Sequence, residues 1–199
     1  MAGTPQGLTE KYKIDIRLHH EVIEIDLKKG RIRVRKADNG KIWWEAFDYL
    51  MLSTGAIPFK PSFEGIDAKG IFGVRTLESG LILDDFIKTA KPKKAVVIGG
   101  GYIGLEMAEN LILRGMDVSL VNRSGEVMST LDPDMGKLIS KALMNVGVSL
   151  YRNETLKGFG IKDHHVQRVI TDKQELPADL VILGMGARPN TALAEAAGI

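Results

Sequence analysis

Gly99, Gly101 and Gly104 stand at the spacing G-x-G-x-x-G, directly after the apolar run Ala95–Ile98 and at the opening of a helical stretch. Each glycine has a separate task in that setting. Gly99 permits a tight turn, Gly101 lets backbone approach a pyrophosphate, and Gly104 allows a helix to pack closely on a sheet. Unpaired amides and the helix dipole then face the phosphates, with Gly99, Gly100, Gly101, Tyr102 and Ile103 as the candidate contact residues. The chemistry implied is recognition of a dinucleotide. A second apolar strand follows at about the spacing of a βαβ unit, roughly 20 residues on, and ends in Asn122-Arg123. A carboxylate there would accept from the ribose hydroxyls of NAD, whereas an arginine matches a 2′-phosphate. Asn122 can hydrogen-bond a ribose without repelling phosphate, Arg123 can make a charge-assisted contact, and Glu126 can act as a displaced carboxylate. The ending leans toward NADPH and leaves NADH open. Tyr102 and Glu106 are spaced i,i+4, which places them on one helix face.

Other chemistry-bearing residues offer less. The four histidines fall in two adjacent pairs, His19-His20 and His164-His165, with no cysteine or carboxylate cluster beside them, so no metal site is expected. Asp132 and Asp134 sit where a helix start favours carboxylates, Asp132 as the cap before Pro133. Glu154 reads as a solvated strand-end or turn residue. Lys91–Lys94 reads as a solvated linker, because no aromatics interleave it as in a nucleic-acid surface.

The elements that must position these residues divide the chain near residue 90. Residues 12–46 read as a small antiparallel meander: "IDIRL", "EVIEIDL", "GRIRVRK" and "KIWWEAF", with glycine-bearing links supplying the positive φ of tight turns. Trp43 and Trp44 fall on opposite faces of a strand. "DYLMLSTG" reads as a buried strand of a larger sheet, ending at Thr54-Gly55. Pro58 and Pro61 forbid regular structure after it. "LILDDFIKTA" reads as an amphipathic helix stopped near Pro92. Beyond it come strand Ala95–Ile98, helix Tyr102–Leu113, strand Asp117–Val121, a helix from "DPDMGKLISKALMNVG", hairpin material, and a closing buried strand "DLVILGMG". The expected fold class is α/β: a Rossmann-like NAD(P)-binding domain at 90–199, with a parallel sheet, helices and an antiparallel meander, beside a β-rich region at 1–89.

Composition sets the outer bounds. The chain has 199 residues, 44% of them hydrophobic, enough for one large core or two small ones. Its 27 basic and 25 acidic residues nearly balance, which gives no argument for nucleic acid. There is no cysteine, and so neither a disulfide framework nor a thiolate nucleophile. No apolar run reaches the roughly 20 residues of a membrane span. The start has no apolar signal core, and a cytoplasmic protein is expected.

At "GGGYIGLEMAENL" the sequence resembles the flavin-dependent pyridine nucleotide–disulfide oxidoreductases, within them the coenzyme A disulfide reductase, NADH oxidase and NADH peroxidase branch. "LMLSTGAIPFKPSFEGI", "DPDMGKLISKALMNVGVSL" and "DLVILGMGARPNTALAEAAGI" carry the resemblance along nearly the whole chain. It implies that Tyr102 lies over the flavin and moves aside for the nicotinamide, and that Glu106 sits near the junction of the two rings. Gly184 and Gly186 would bring backbone close to the nicotinamide half. Thr54 and Gly55 would line the FAD phosphates, and Val22 and Ile23 would lie beside its adenine. The resemblance implies NAD(P)H and FAD as cofactors, hydride passage between them, and electron delivery to a disulfide, persulfide, oxygen or peroxide. It also implies a homodimeric parent, with self-association of this piece. Members open with their own glycine loop for FAD and carry a redox cysteine, and neither is present here, so the resemblance implies that 1–89 is an incomplete FAD-binding domain. The chain is therefore expected to be an internal piece of a longer protein, with Met1–Gly3 an added start. It is expected to bind FAD weakly or not at all and to be inactive alone. The alternative is a non-catalytic nucleotide-binding or protein-interaction domain.

Overall fold

The backbone follows hydrogen-bonding demand: apolar runs become strands only where a neighbouring strand can pair with them. The structure, a computed structural model, describes residues 4–199, so the reading of Met1–Gly3 lies outside it. The chain divides into two compact units, one of 1–56 with 189–199, the other of Ile57–Arg188.

In the first unit, helix α1 (Pro5–Tyr12) begins where the Thr4 side chain accepts a hydrogen bond from the Gly7 amide at 3.1 Å. Strands β1 (His20–Asp26), β2 (Arg31–Lys36) and β3 (Ile42–Ala46) make an antiparallel meander in that order. Its turns use Gly30 and Gly40 at φ 57° and 69°. Ile25 and Val34 are buried, while the other face carries cross-strand pairs of Arg33 with Glu24 and Arg35 with Glu21. The guanidinium of Arg31 lies 4.2 Å from the Trp44 ring centre.

Two expected strands do not form. "IDIRL" lacks a lateral partner, and instead Arg17 within it pairs with Asp15 and with Glu45, both at 2.7 Å. "DYLMLSTG" is irregular and open, with Tyr49 96% and Met51 88% exposed. Apolar character alone does not make a strand. Backbone donors and acceptors need a neighbouring strand, and among the described residues none pairs with this run.

Strand β4 (Ala56–Pro58) follows, a short regular stretch where Pro58 and Pro61 lead to none being expected; proline is tolerated at the edge of a sheet. The second unit then supplies β5 (Ile71–Phe72), α2 (Leu77–Ala90), β6 (Lys94–Ile98), α3 (Tyr102–Leu113), β7 (Asp117–Asn122), α4 (Pro133–Asn145) and β8 (Ser149–Arg152). After these come β9 (Leu156–Lys162), β10 (His165–Thr171), β11 (Glu175–Pro177), β12 (Leu180–Leu183) and β13 (Ala187–Pro189), the last pairing with β4. Helix α5 (Ala192–Ala196) returns to the first unit, where it packs on β1.

The central sheet is parallel, in the order β5-β12-β6-β7-β8. Both faces are covered, so its strands read as continuous apolar runs. Side chains alternate between the faces: Val97, Leu120 and Ile182 join Leu83 of α2 and Leu111 of α3. Val96, Ile98 and Val181 instead meet Phe159, Val166 and Val169 of the antiparallel sheet β11-β10-β9. Each such Val or Leu, fully buried, stabilises by about 1.5–3 kcal/mol. Asp132 precedes α4, but its side chain makes no capping bond; Pro133 starts the helix by fixing φ. No helix among the described residues is long and apolar enough to cross a membrane.

Candidate functional site

The chain runs from β6 through β7 to β8 on one side of the sheet and then returns to place β12 on the other side of β6. Outside the carboxyl ends of strands at such a reversal lies the crevice where ligands bind in open α/β sheets. Here it is a cavity of about 690 Å³ in the second unit. The glycine loop forms its floor. Gly99 has φ 103°, and a Cβ on it would strike the carbonyl of Gly184, so the turn needs glycine. A Cβ on Gly104 would strike the carbonyl of Gly99, which is the close helix–strand packing expected there. A Cβ on Gly101 would meet nothing within 4 Å. Its backbone therefore borders open space, a cradle that a side chain would fill.

Helix α3 starts at this loop with Gly101 as its cap residue and no side-chain capping bond. The amides of Gly101, Tyr102 and Ile103 line the cavity's edge and have no acceptor among the described residues. Free amides at a helix start suit an anion. Tyr102 lines the cavity and is 69% exposed, so packing does not account for its ring. Gly184 and Gly186 line it as well. Gly104 and Glu106 do not. Glu106 is exposed on α3, where its carbonyl accepts a bond from the Asn110 amide at 2.8 Å.

Asn122 is committed to the scaffold. It is 8% exposed; its Oδ1 accepts from the Gly100 amide at 3.2 Å, and its Nδ2 donates to the carbonyls of Ser124 at 2.9 Å and Glu126 at 2.8 Å. One amide thus ties the glycine loop to the turn after β7. The Met128 amide, donating to the Gly100 carbonyl at 2.7 Å, closes the same junction. Arg123 lines the cavity, is exposed, and has no hydrogen-bond or ion-pair partner among the described residues. Glu126 does not line it; its Oε1 pairs with Arg152 at 2.7 Å, while Oε2 is buried without a partner.

Glu154 departs from expectation. It is not solvated but 6% exposed, and it accepts from the Thr171 hydroxyl at 2.9 Å and the Gln174 amide at 2.8 Å. Those donors lie on β10 and its following turn, so sequence proximity gave no sign of them. Glu154, Thr155 and Leu156 line the cavity next to β7. Thr155 is held there by Asp172, whose carboxylate accepts from its amide at 2.8 Å. That bond holds the Asp172 carboxyl below its ordinary range. Ser124, Ser129, Phe59 and Arg188 also line the cavity and were not singled out from the sequence. Ser124 adjoins Arg123, and Arg188 follows Gly186 by two residues. Phe59 could be found only through the fold: its amide donates to the Gly186 carbonyl at 2.9 Å, and the Arg188 guanidinium lies 5.2 Å from its ring centre.

The four residues expected around FAD all lie in the first unit. Val22 and Ile23 sit in β1 where its pairing with β2 slips, and Thr54 donates to the Asn190 carbonyl at 2.6 Å. Gly55 has φ 74°, and its carbonyl accepts from the Asn190 amide at 2.9 Å. None of the four lines the 690 Å³ cavity. They do not by themselves make a dinucleotide cradle of the kind the glycine loop makes. Among the described residues, no His, Cys, Asp and Glu gather as a metal-holding group. His20 packs edge-on against Trp43 and His164 occupies a turn at φ 63°.

Comparison with known proteins gives a consistent outcome. The chain is similar to an NADH oxidase from Methanocaldococcus jannaschii, 38% identical over 98% of this chain and 43% of the relative. It is similar to an NAD(P)H sulfur oxidoreductase (CoA-dependent) from Pyrococcus abyssi, 35% identical over 98% of this chain and 43% of that one. Among solved structures it resembles reduced Bacillus anthracis CoADR-RHD, with a TM-score of 0.90 and 32% identity over 99% of this chain and 35% of that chain. The chain thus spans less than half the length of these relatives. The family model described as pyridine nucleotide-disulphide oxidoreductase matches residues 4–199, and the chain belongs to that family.

Proposed function

We propose that the chain is the NAD(P)H-binding portion of a flavin-dependent oxidoreductase. The observation that carries this reading is the empty space at Gly101, bordered by free amides at the start of α3, within a cavity large enough for a dinucleotide half. Gly101, Tyr102 and Ile103 would hold the pyrophosphate through their free amides, on a loop whose Gly99 and Gly100 amides are bonded to the Val121 carbonyl and the Asn122 side chain. Gly104 would keep α3 close to the sheet, and Gly184 and Gly186 would admit the nicotinamide half. Tyr102, on the rim, would cover the reactive face and move aside when the nicotinamide enters. Glu106, on the same helix face, would stand nearer the flavin junction. The bound cofactors supply hydride transfer from NAD(P)H to FAD; the protein supplies binding and orientation.

The terminal acceptor under this reading is a disulfide or persulfide of the coenzyme A type, or oxygen or peroxide. The names of the relatives support both classes. The absence of cysteine from the 199 residues supports a further point, that the chain by itself does not turn over. It would hold FAD weakly through Val22, Ile23, Thr54 and Gly55, and purification with a flavin spectrum at full occupancy would refute that. The division of labour at residue 90 belongs to the same proposal. So does self-association of the chain, as in a dimeric parent, which light scattering of a strict monomer would refute.

The test is calorimetric titration of the chain with NADPH and NADH. Gly101→Val should leave the fold intact, because φ is −87° there and a Cβ meets no atom within 4 Å. It should weaken dinucleotide binding about tenfold or more, by displacing phosphate from charge-assisted amide bonds. Binding of neither nucleotide would leave the alternative, a protein-interaction domain without nucleotide chemistry.

A further inference from the structure

We infer that Arg123, assisted by the Ser124 hydroxyl, is a recognition site for a 2′-phosphate, and that the chain selects NADPH over NADH. The inference rests on the NAD(P)H reading above and adds its selectivity. A site for NADH presents a carboxylate to the adenosine ribose, which accepts from the hydroxyls and repels a phosphate. Three residues near the end of β7 could be that acceptor, and the fold withdraws each one. Asn122 lines the cavity, but its oxygen accepts from the Gly100 amide and its Nδ2 donates to the carbonyls of Ser124 and Glu126, so it has no hydrogen-bonding group left to offer. Glu126 is not among the residues lining the cavity, and its Oε1 is paired with Arg152 at 2.7 Å. Glu154 does line the cavity, but one oxygen accepts from Thr171 and the other from Gln174, and the side chain is buried.

What remains at that end is cationic. Arg123 lines the cavity with its guanidinium unpaired among the described residues, and Ser124 and Ser129 line it with hydroxyls that make no bond there. The carbonyl of Ser124 accepts from Asn122 and from the Asn153 amide at 3.2 Å, so the backbone carrying Arg123 is fixed at both ends of the turn. An unpaired guanidinium on a fixed turn has no structural bond to break on binding. It fits a phosphate monoester, which is a near-dianion at neutral pH and forms charge-assisted, often bidentate bonds with arginine.

The experiment is calorimetric titration of the 199-residue chain with NADPH, NADH, 2′,5′-ADP and 5′-AMP, for wild type, Arg123→Ala and Arg123→Lys. NADPH should bind about tenfold or more tighter than NADH, and 2′,5′-ADP should exceed 5′-AMP similarly, as loss of a charged hydrogen bond dictates. Arg123→Ala should abolish both ratios by weakening NADPH and 2′,5′-ADP far more than NADH and 5′-AMP, and Arg123→Lys should keep part of them. Raised salt should narrow the wild-type ratio, a measurement that needs no variant. Equal affinities, a preference for NADH, or an Arg123→Ala chain that weakens both dinucleotides alike would overturn the inference while leaving NAD(P)H binding in place. Binding of none of the four ligands would overturn the NAD(P)H reading and this inference together.

Discussion

Asn122 joins three stretches of backbone through one side chain: the glycine loop at Gly100 and the two carbonyls of Ser124 and Glu126. Its identity is therefore a matter of architecture as much as of ligand contact. Asn122→Ala should leave the Gly100 amide without its acceptor in a buried place, at a cost of about 1–3 kcal/mol. Urea denaturation monitored by circular dichroism would measure it, and an unchanged midpoint would show that the loop holds without the amide. Glu154 teaches the same lesson from the other strand. Seen only among Arg152, Asn153 and Thr155 it resembles a solvated turn residue. Its donors on Thr171 and Gln174 turn it into a buried anchor. The tight turn at Gly99, the open space at Gly101 and the close packing at Gly104 were legible from spacing, because they depend on local backbone. Asn122 and Glu154 were not, because their partners arrive from distant parts of the chain.

At the scale of elements, the β6–α3–β7 unit follows directly from its apolar periods and its glycines. The turn after β8 depends on a second element. Asp172 holds the Thr155 amide at 2.8 Å, and Thr155 holds the Asp172 amide in return at 3.0 Å. The Thr155 bond is the leading cause of the lowered Asp172 pKa. A carboxyl whose folded pKa lies below its unfolded one stabilises when ionised, and that contribution is present above the unfolded pKa. It is lost as pH falls through the folded value, below the ordinary aspartate range near about pH 4. Asp172→Asn should therefore melt lower than wild type at neutral pH, and the gap should close in acid. Thermal unfolding across a pH series checks this; a gap that persists below that range would assign the effect to packing. The pair Asp84–Arg114 at 2.8 Å, linking α2 to the end of α3, has the same sign, with Asp84 held low first by Lys88 and then by Arg114. Helix α2 was legible in the sequence over 81–90, one turn short of its start at Leu77. This tie to α3 was not, because Asp84 and Arg114 meet only when both helices lie on one sheet.

Across the whole molecule, order is distributed unevenly. The five-stranded sheet buries Val97, Leu120, Leu180 and Ile182 on one side and Val96 and Val181 on the other, whereas the apolar stretch from Tyr49 to Leu52 stays open. Amides of β6, β7 and β12 should exchange with solvent deuterium slowest, and those of 49–54 should exchange almost at once, since they have no backbone acceptor among the described residues. Mass-spectrometric hydrogen exchange would show it, and protection at 49–54 comparable with β6 would mean that this run finds a strand partner in solution. The sequence alone determined the α/β class, the glycine loop between strand and helix, the order of helices and strands beyond residue 90, and the family. All of these reside in local period and in glycine spacing, which neighbouring residues suffice to express. The tertiary structure decided that "IDIRL" and "DYLMLSTG" are not strands, that Asn122 and Glu154 are anchors, and that Arg123 at the end of β7 is left unpaired among the described residues. These outcomes turn on which backbone and side-chain groups find hydrogen-bond partners across long sequence separations, and only the folded chain settles which groups meet.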